Sequence, residues 1–297
     1  TRFIPAAFVL IWSTGFIGAK FALPYIEPFF LLAIRFAIVI PLFGLAALYW
    51  RGPRLSHSAA AFQILVGVLL HGGYLCGVFH AISAGTPAGI VAIIVGLQPI
   101  LTSAMAQLWL GQLLSRRQSI GLMLGLAGVA LVVTGGNGLG GQIIGPGGLV
   151  ASLTALTGIS LGSVLQKRIG GAVPLLPGMM LQYTGALMVA LPLSLLFEAQ
   201  TLTVTLPLIL AMAWLILGLS GIATVLLMVM IRAGQTAKVS SLFYLVPPIT
   251  LLQANAFFGE TLAPVSALGG LLAGVGVYLV VRRSGRRPRG VAQSQRL

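Results

Sequence analysis

The side chains able to do chemistry are few, and they sit inside long apolar runs. His71, Tyr74 and His80 share one run, with Cys76 between them. Gln98-Pro99 and Thr102 interrupt a second, and Ser240, Tyr244 and Pro247-Pro248 interrupt a third. Trp12, Thr14 and Lys20 mark the first run, and Arg35 the next. Imidazoles, amides, hydroxyls and an aromatic face suit a path that holds a solute reversibly. No metal site is expected, because there is a single cysteine and no carboxylate stands at ligand spacing from the histidines. The chain has no Asp, and its only acids are Glu27, Glu198 and Glu260. A membrane-embedded transferase, which needs a His/Asp, His/Glu or Asp-rich set, is therefore a remote alternative, and an enzyme is not expected. No GxxxxGK[ST] nucleotide segment occurs, and no cofactor is expected.

The elements that must position these groups follow from composition. The chain is 58% hydrophobic and only 7% charged, whereas a soluble domain is about a quarter charged. Apolar windows of about 20 residues, the length that crosses a bilayer, recur from end to end. They do not alternate at period two, which excludes a β-barrel. The reading is an all-α polytopic membrane protein with ten transmembrane helices, at roughly 3–23, 28–49, 59–82, 87–110, 117–135, 146–167, 176–197, 206–231, 236–258 and 263–281. The first run begins at Phe3 and is long enough to span, so no cleavable signal is expected.

The net charge of +14 reads as topology and not as nucleic-acid binding, because the basic residues cluster between the apolar runs. Of the 17 Lys and Arg, 15 fall on one side: Arg2, the pairs after spans 2, 4 and 6, Arg232 and Lys238 after span 8, and six arginines from Arg282 to Arg296. The opposite connections carry the three glutamates and no basic residue. Positive-inside bias then puts both termini in the cytoplasm.

Spans 4–5 resemble spans 9–10. Gly85 aligns with Gly234 and Pro99 with Pro248; after a one-residue offset, Gly121 aligns with Gly269 and Gly128 with Gly276. The repeating unit is five helices, an odd number, so the two copies cross the membrane in opposite senses. Inverted repeats of this kind enclose a midplane site in secondary transporters. The expected division is 1–135 as the first repeat, 136–145 as a connecting loop, 146–281 as the second repeat and 282–297 as a basic cytoplasmic tail.

On these residues the chain resembles the drug/metabolite transporter superfamily, and within it the EamA-type ten-helix exporters. The carriers of the resemblance are 12-WSTGFIGAK-20, 35-RF-36, and the elements 111-GQ-112 and 259-GE-260, each followed by a Gly-rich helix. The first repeat departs from the pattern with Gln112 where the family often has Glu. The overall pattern is similar to the amino-acid exporters related to the aromatic amino acid and paraquat exporter. This resemblance implies a multi-pass protein of a bacterial inner (plasma) membrane whose partners are a small-molecule substrate and the bilayer.

Polar groups in hydrocarbon line a path or bridge helices, and each residue carries both readings. Lys20 and Arg35, which the resemblance implies are family-typical, either snorkel or pair locally, with Glu27 in reach, or attract a substrate carboxylate. His71 and Tyr74 share a helical stripe, and His80 lies nearly opposite with Cys76 and Gly77; His71 and Tyr74 are the cavity candidates, and His80 equally suits a bridge between helices. Gln98, Thr102, Ser240 and Tyr244 gather around the repeat-related prolines, where a lost backbone bond needs protein or cavity water. Trp12 and Thr14 suit a cavity wall, though Trp12 equally suits ordinary packing. Gly121/Gly125/Gly128 and Gly270/Gly274 have helix-packing spacing. With no acid expected at depth, the function expected is facilitated, downhill export of small amphipathic metabolites, amino acids foremost, by alternating access about bends at Pro99 and Pro247-Pro248. The alternative is a broad exporter of drugs or cationic xenobiotics.

Overall fold

The computed structural model describes residues 4–48, 55–110, 115–135, 144–169, 173–224, 226, 230, 242–261 and 263–281. Its helical stretches are α1 (Ile4–Ala22), α2 (Pro28–Leu48), α3 (His57–Ser83), α4 (Ala88–Val95 and Gln98–Leu110), α5 (Arg116–Gly135), α6 (Pro146–Ile169), α7 (Leu175–Phe197), α8 (Leu206–Ala223), α9 (Val246–Phe258) and α10 (Pro264–Val281). The stretches α1 to α8 are each long and apolar enough to cross a membrane. In α10 the apolar segment Pro264–Val280 is shorter, and α9 has 13 residues. Residues 231–241, assigned from sequence to the end of span 8 and the start of span 9, lie outside the described residues.

Helix starts follow local chemistry. Pro28, Pro146 and Pro264 each open a helix, where a missing N–H costs nothing and φ is already set. Ser56 and Thr205 cap α3 and α8 by accepting from Ala59 N and Leu208 N. Pro41 and Pro192 lie inside α2 and α7, which is tolerated when neighbours re-satisfy the freed carbonyls. Two helices are locally widened into π turns: Val68–Gly73 in α3 and Trp214–Ala223 in α8.

Small residues set the packing. α5 lies against α10 so closely that a Cβ on Gly121 would sit 2.5 Å from the carbonyl oxygen of Gly276, and one on Gly128 would sit 2.5 Å from that of Gly269. The contact is self-complementary: Gly269 and Gly276 meet Gly128 and Gly121 in the same way. The sequence reading chose Gly270 and Gly274 for this role, and the structure moves it by one face. Gly270 meets only the side chain of Ile93, and a Cβ on Gly274 would meet nothing within 4 Å. The widened turn of α3 presses its backbone on Gly158 and Gly162 of α6, and that of α8 presses Leu215 and Leu219 on Gly18 and Gly15 of α1. α2 packs along α7, and α4 touches α9.

One end of the bundle is laced by carboxylates. Glu198, after α7, accepts from Phe29 N at 2.8 Å and Phe30 N at 2.7 Å, the open first turn of α2. Glu27, before α2, accepts in return from Thr201 N at 2.8 Å and Ala199 N at 3.3 Å. The Thr201 backbone N–H holds the Glu27 carboxyl below its ordinary value of 4.5, so it is ionised at neutral pH. An isolated antiparallel bridge, Ile26 to Leu202, runs alongside. Glu27 is thus committed to this clasp and is not the partner of Lys20 or Arg35.

The glycine seam gives a direct test. Gly121→Ala and Gly128→Ala should each lower stability by about 1–3 kcal/mol through forced separation of α5 and α10, read as a fall in Tm of the purified protein in detergent. Gly274→Ala should leave Tm unchanged; an equal fall there would refute the seam.

Candidate functional site: paired helix breaks and a polar interior

α4 breaks, and α9 begins, at matching prolines. α4 stops at Val95 and restarts at Gln98, so Pro99 lies in the first turn of the second segment. At the break Leu97 O accepts from both Ile100 N and Leu101 N. Before α9 a short 3-10 turn, Phe243–Leu245, gives way to a helix beginning at Val246, which puts Pro247 in its first turn. The prolines open new helical segments; they do not bend a continuous one, because their missing donors fall among N–H groups that no intrahelical carbonyl would reach. The two breaks touch: a Cβ on Gly96 would sit 2.7 Å from Cγ of Pro247. Beside them a cavity of about 580 Å³ is lined by Ile93, Gly96, Leu97, Pro247, Pro248 and residues of α10.

Polar groups flank these breaks. Gln98 Nε2 donates to Ser163 Oγ of α6 at 2.8 Å. Thr102 is buried, and its hydroxyl has no partner among the described residues. Trp12 joins Phe8 and Phe243 in a three-ring cluster with centroids 5.2–5.4 Å apart, which ties α1 to the turn before α9. Thr14, 200° further round α1, does not accompany Trp12; its Oγ1 accepts from Trp214 Nε1 of α8 at 2.8 Å on the exposed side. Ser240 and the Tyr244 side chain lie outside what is described.

A second polar set crosses the other helices. His71 stacks on Tyr183 of α7 with centroids 4.8 Å apart, and its Nε2 lies 3.2 Å from Gln182 Oε1. Gln182 Nε2 donates to Gln63 at 2.6 Å and to Gln166 at 3.1 Å. Tyr183 Oη donates to Ser220 Oγ of α8 at 3.2 Å, and the Arg35 guanidinium donates to the same oxygen at 3.1 Å. Tyr74 packs beside this set. The sequence reading had His71, Tyr74 and Arg35 but missed Gln63, Gln166, Gln182, Tyr183 and Ser220. The signal was present, since an amide in an apolar run needs a partner, but only the fold supplies that partner from another helix. His80 is separate: exposed and stacked on Phe29 at 5.4 Å, it lines a cavity of about 560 Å³ with Cys76 and Gly77, between α3, α6 and α7.

Lys20 is used structurally. It forms an ion pair with Glu260 and lies 4.6 Å from the ring centroid of Phe258. Glu260 also accepts from Ala88 N at 3.1 Å and Gly89 N at 3.3 Å, the first turn of α4. One carboxylate thereby ties α1, α4 and the end of α9, where Gly259 closes the helix in the left-handed region at φ 65°.

Long apolar helices with polar interiors and touching breaks define a multi-pass membrane transporter. The model of the EamA-like transporter family matches residues 4–134 and again 146–282, and the chain belongs to that family. Relatives include a "Probable amino-acid metabolite efflux pump" of Salmonella typhimurium, 26% identical with 94% of each chain covered. Another is the "Uncharacterized transporter YvbV" of Bacillus subtilis, 29% identical over 92% of this chain and 88% of its own. These relatives are named as transporters or pumps and not as enzymes. A solved crystal structure, 22% identical and covering 93% of this chain and 94% of its own, shares the fold with a TM-score of 0.62.

The Glu260 clasp predicts an asymmetry between its partners. Glu260→Gln should cost roughly 2 kcal/mol, because it removes the ion pair and weakens two backbone bonds. Lys20→Met should cost about 1 kcal/mol or less, because the backbone bonds remain. Urea or thermal unfolding of both variants and the double variant measures this; equal costs would mean that the backbone bonds contribute nothing.

Proposed function

We propose that this chain exports small amphipathic metabolites, with amino acids the leading class, by alternating access of two inverted five-helix halves, residues 1–135 and 146–281. Ten spans with both termini cytoplasmic complete this reading, supported by the confinement of basic residues to alternate connections. The observation that carries it is the meeting of Gly96 with Pro247, where the break in α4 faces the 3-10 turn and proline start of α9, its counterpart in the proposed repeat. Other pairings support the same two-fold. α5 meets α10 through mutually exchanged glycines, and widened turns fall in α3 and α8 alone among the described helices. Interior prolines fall in α2 and α7. Each pair is five helices apart, as inverted repeats require.

Breaks at depth suit motion. A segment that begins at its own proline is not stiffened by the helix before it, so α4 and α9 can pivot at Gly96-Leu97 and at Phe243–Leu245 while the seams hold. Gln98, Thr102, Tyr244 and Ser240 lie near these points along the chain, Trp12 packs on Phe243, and together they form the proposed solute path, with His71 and Tyr74 on the adjoining wall. The mixture of rings and amides suits solutes with an apolar side chain and a polar end. Downhill transport is supported by the placement of the acids: Asp is absent, Glu198 and Glu260 bind backbone N–H groups at helix starts, and Glu27 binds those of the connection after α7. The one of them that is buried, Glu260, is already paired with Lys20 and is not left over for a carboxylate relay. The names of the amino-acid efflux relatives agree with the proposed substrate class.

Two measurements test this. Proteoliposomes preloaded with unlabelled amino acids should show saturable counterflow of labelled ones with no imposed proton or sodium gradient; strict dependence on a gradient would refute the downhill reading. Replacing Pro247 and Pro248 together with Ala should join the 3-10 turn to α9 and slow counterflow by about tenfold, roughly 1.4 kcal/mol in the barrier, with membrane insertion unchanged. Unaltered flux would remove the breaks from the mechanism.

A further inference from the structure

Arg35 is a buried cation that none of the three glutamates reaches. It is 5% exposed on α2, donates to Ser220 Oγ at 3.1 Å, and its Nε has no partner among the described residues. The chain holds three acids, and the structure places all of them elsewhere. Glu27 binds Ala199 N and Thr201 N, Glu198 binds Phe29 N and Phe30 N, and Glu260 binds Lys20, Ala88 N and Gly89 N. The ionisable side chains close to Arg35 are the phenols of Tyr74 and Tyr183 and the imidazole of His71, none of them a carboxylate. A guanidinium keeps its proton in proteins, and burying a charge without a counterion is strongly unfavourable. A chain that spends its few acids on helix ends and keeps this cation bare leaves the anion to come from outside.

We propose that Arg35 is the recognition point for the carboxylate of the transported solute. This rests on the export reading above and narrows its substrate class to solutes that bear a carboxylate. The planar guanidinium fork matches a carboxylate in two parallel bonds. Ser220 and Tyr183 bring hydroxyls to the same place from α8 and α7, and Tyr74 brings another from α3. His71, stacked on Tyr183, supplies a flat wall for the solute's apolar part. The set draws on α2 and α3 of one proposed half and on α7 and α8 of the other, so a bound carboxylate holds both together.

Thermal unfolding of the purified protein, followed by tryptophan fluorescence, tests this with probes that differ only in charge. Phenylacetate should raise Tm at concentrations about tenfold below those of neutral phenylacetamide, the preference expected of one charge-assisted bidentate contact. Sodium chloride at equal concentration should give no shift. Arg35→Met and Arg35→Gln should bring the ratio to about one, while the ligand-free Tm holds or rises because the bare charge is gone. Equal responses of the native protein to the two probes would overturn the proposal. So would a chloride shift equal to that of phenylacetate, or a preference that survives in either variant. Amino-acid counterflow is read separately: its failure alone would remove the export reading and leave a carboxylate site standing.

Discussion

Everything in this molecule follows from the absence of water in the hydrocarbon. A backbone N–H or C=O with no partner there costs several kcal/mol, so the chain is helical almost throughout its described length. Each departure from regular helix is matched by a compensating contact. The breaks at Gly96-Leu97 and before Val246 begin new segments with prolines in the first turn, where missing donors are harmless. The open first turns of α2 and α4 are closed by Glu198 and Glu260. Among the described residues, departures from regular helix thus fall at two places that touch one another, at the widened turns of α3 and α8, and at the helix ends.

Hydrocarbon also removes the usual drive for helices to associate, since lipid tails are as apolar as leucine. Close backbone contact takes its place. Gly121, Gly128, Gly269 and Gly276 let α5 and α10 approach within carbonyl contact, and Gly158 and Gly162 receive the widened turn of α3. These seams are rigid because any side chain there would overlap backbone. Between the breaks the closest approach is to a side chain, that of Gly96 to the edge of the Pro247 ring. On the proposed alternating-access reading, the seams would hold while the joints move, the two roles falling on different parts of the fold.

Charge is distributed by the same economy. Lys20 has an ion-pair partner, while Arg35 has a hydroxyl and no acid. On the proposed reading, that difference separates a cation that fastens helices from one left available to a solute. Sequence position alone did not separate them, since both stand in apolar runs near one end of neighbouring helices.

Sequence by itself determined the helical membrane class, the helix order and the family. Those depend on run length, charge side and local motifs, all of which are readable along one dimension. It also marked the prolines, His71, Tyr74, Lys20 and Arg35 as worth attention, because a polar or helix-breaking residue in hydrocarbon always needs a reason. Tertiary structure decided which face of α10 meets α5, moving the seam from Gly270 and Gly274 to Gly269 and Gly276. It gave Lys20 to Glu260 instead of Glu27, and set Thr14 against Trp214, away from Trp12. It also drew Gln63, Gln166 and Gln182 into one hydrogen-bonded set and Tyr183 and Ser220 into another, with His71 bonded to the first and stacked on the second. The reason is rotational. A helix fixes the angle between its own residues, but only packing against other helices fixes which way each helix turns, and every partner named here lies on a different one.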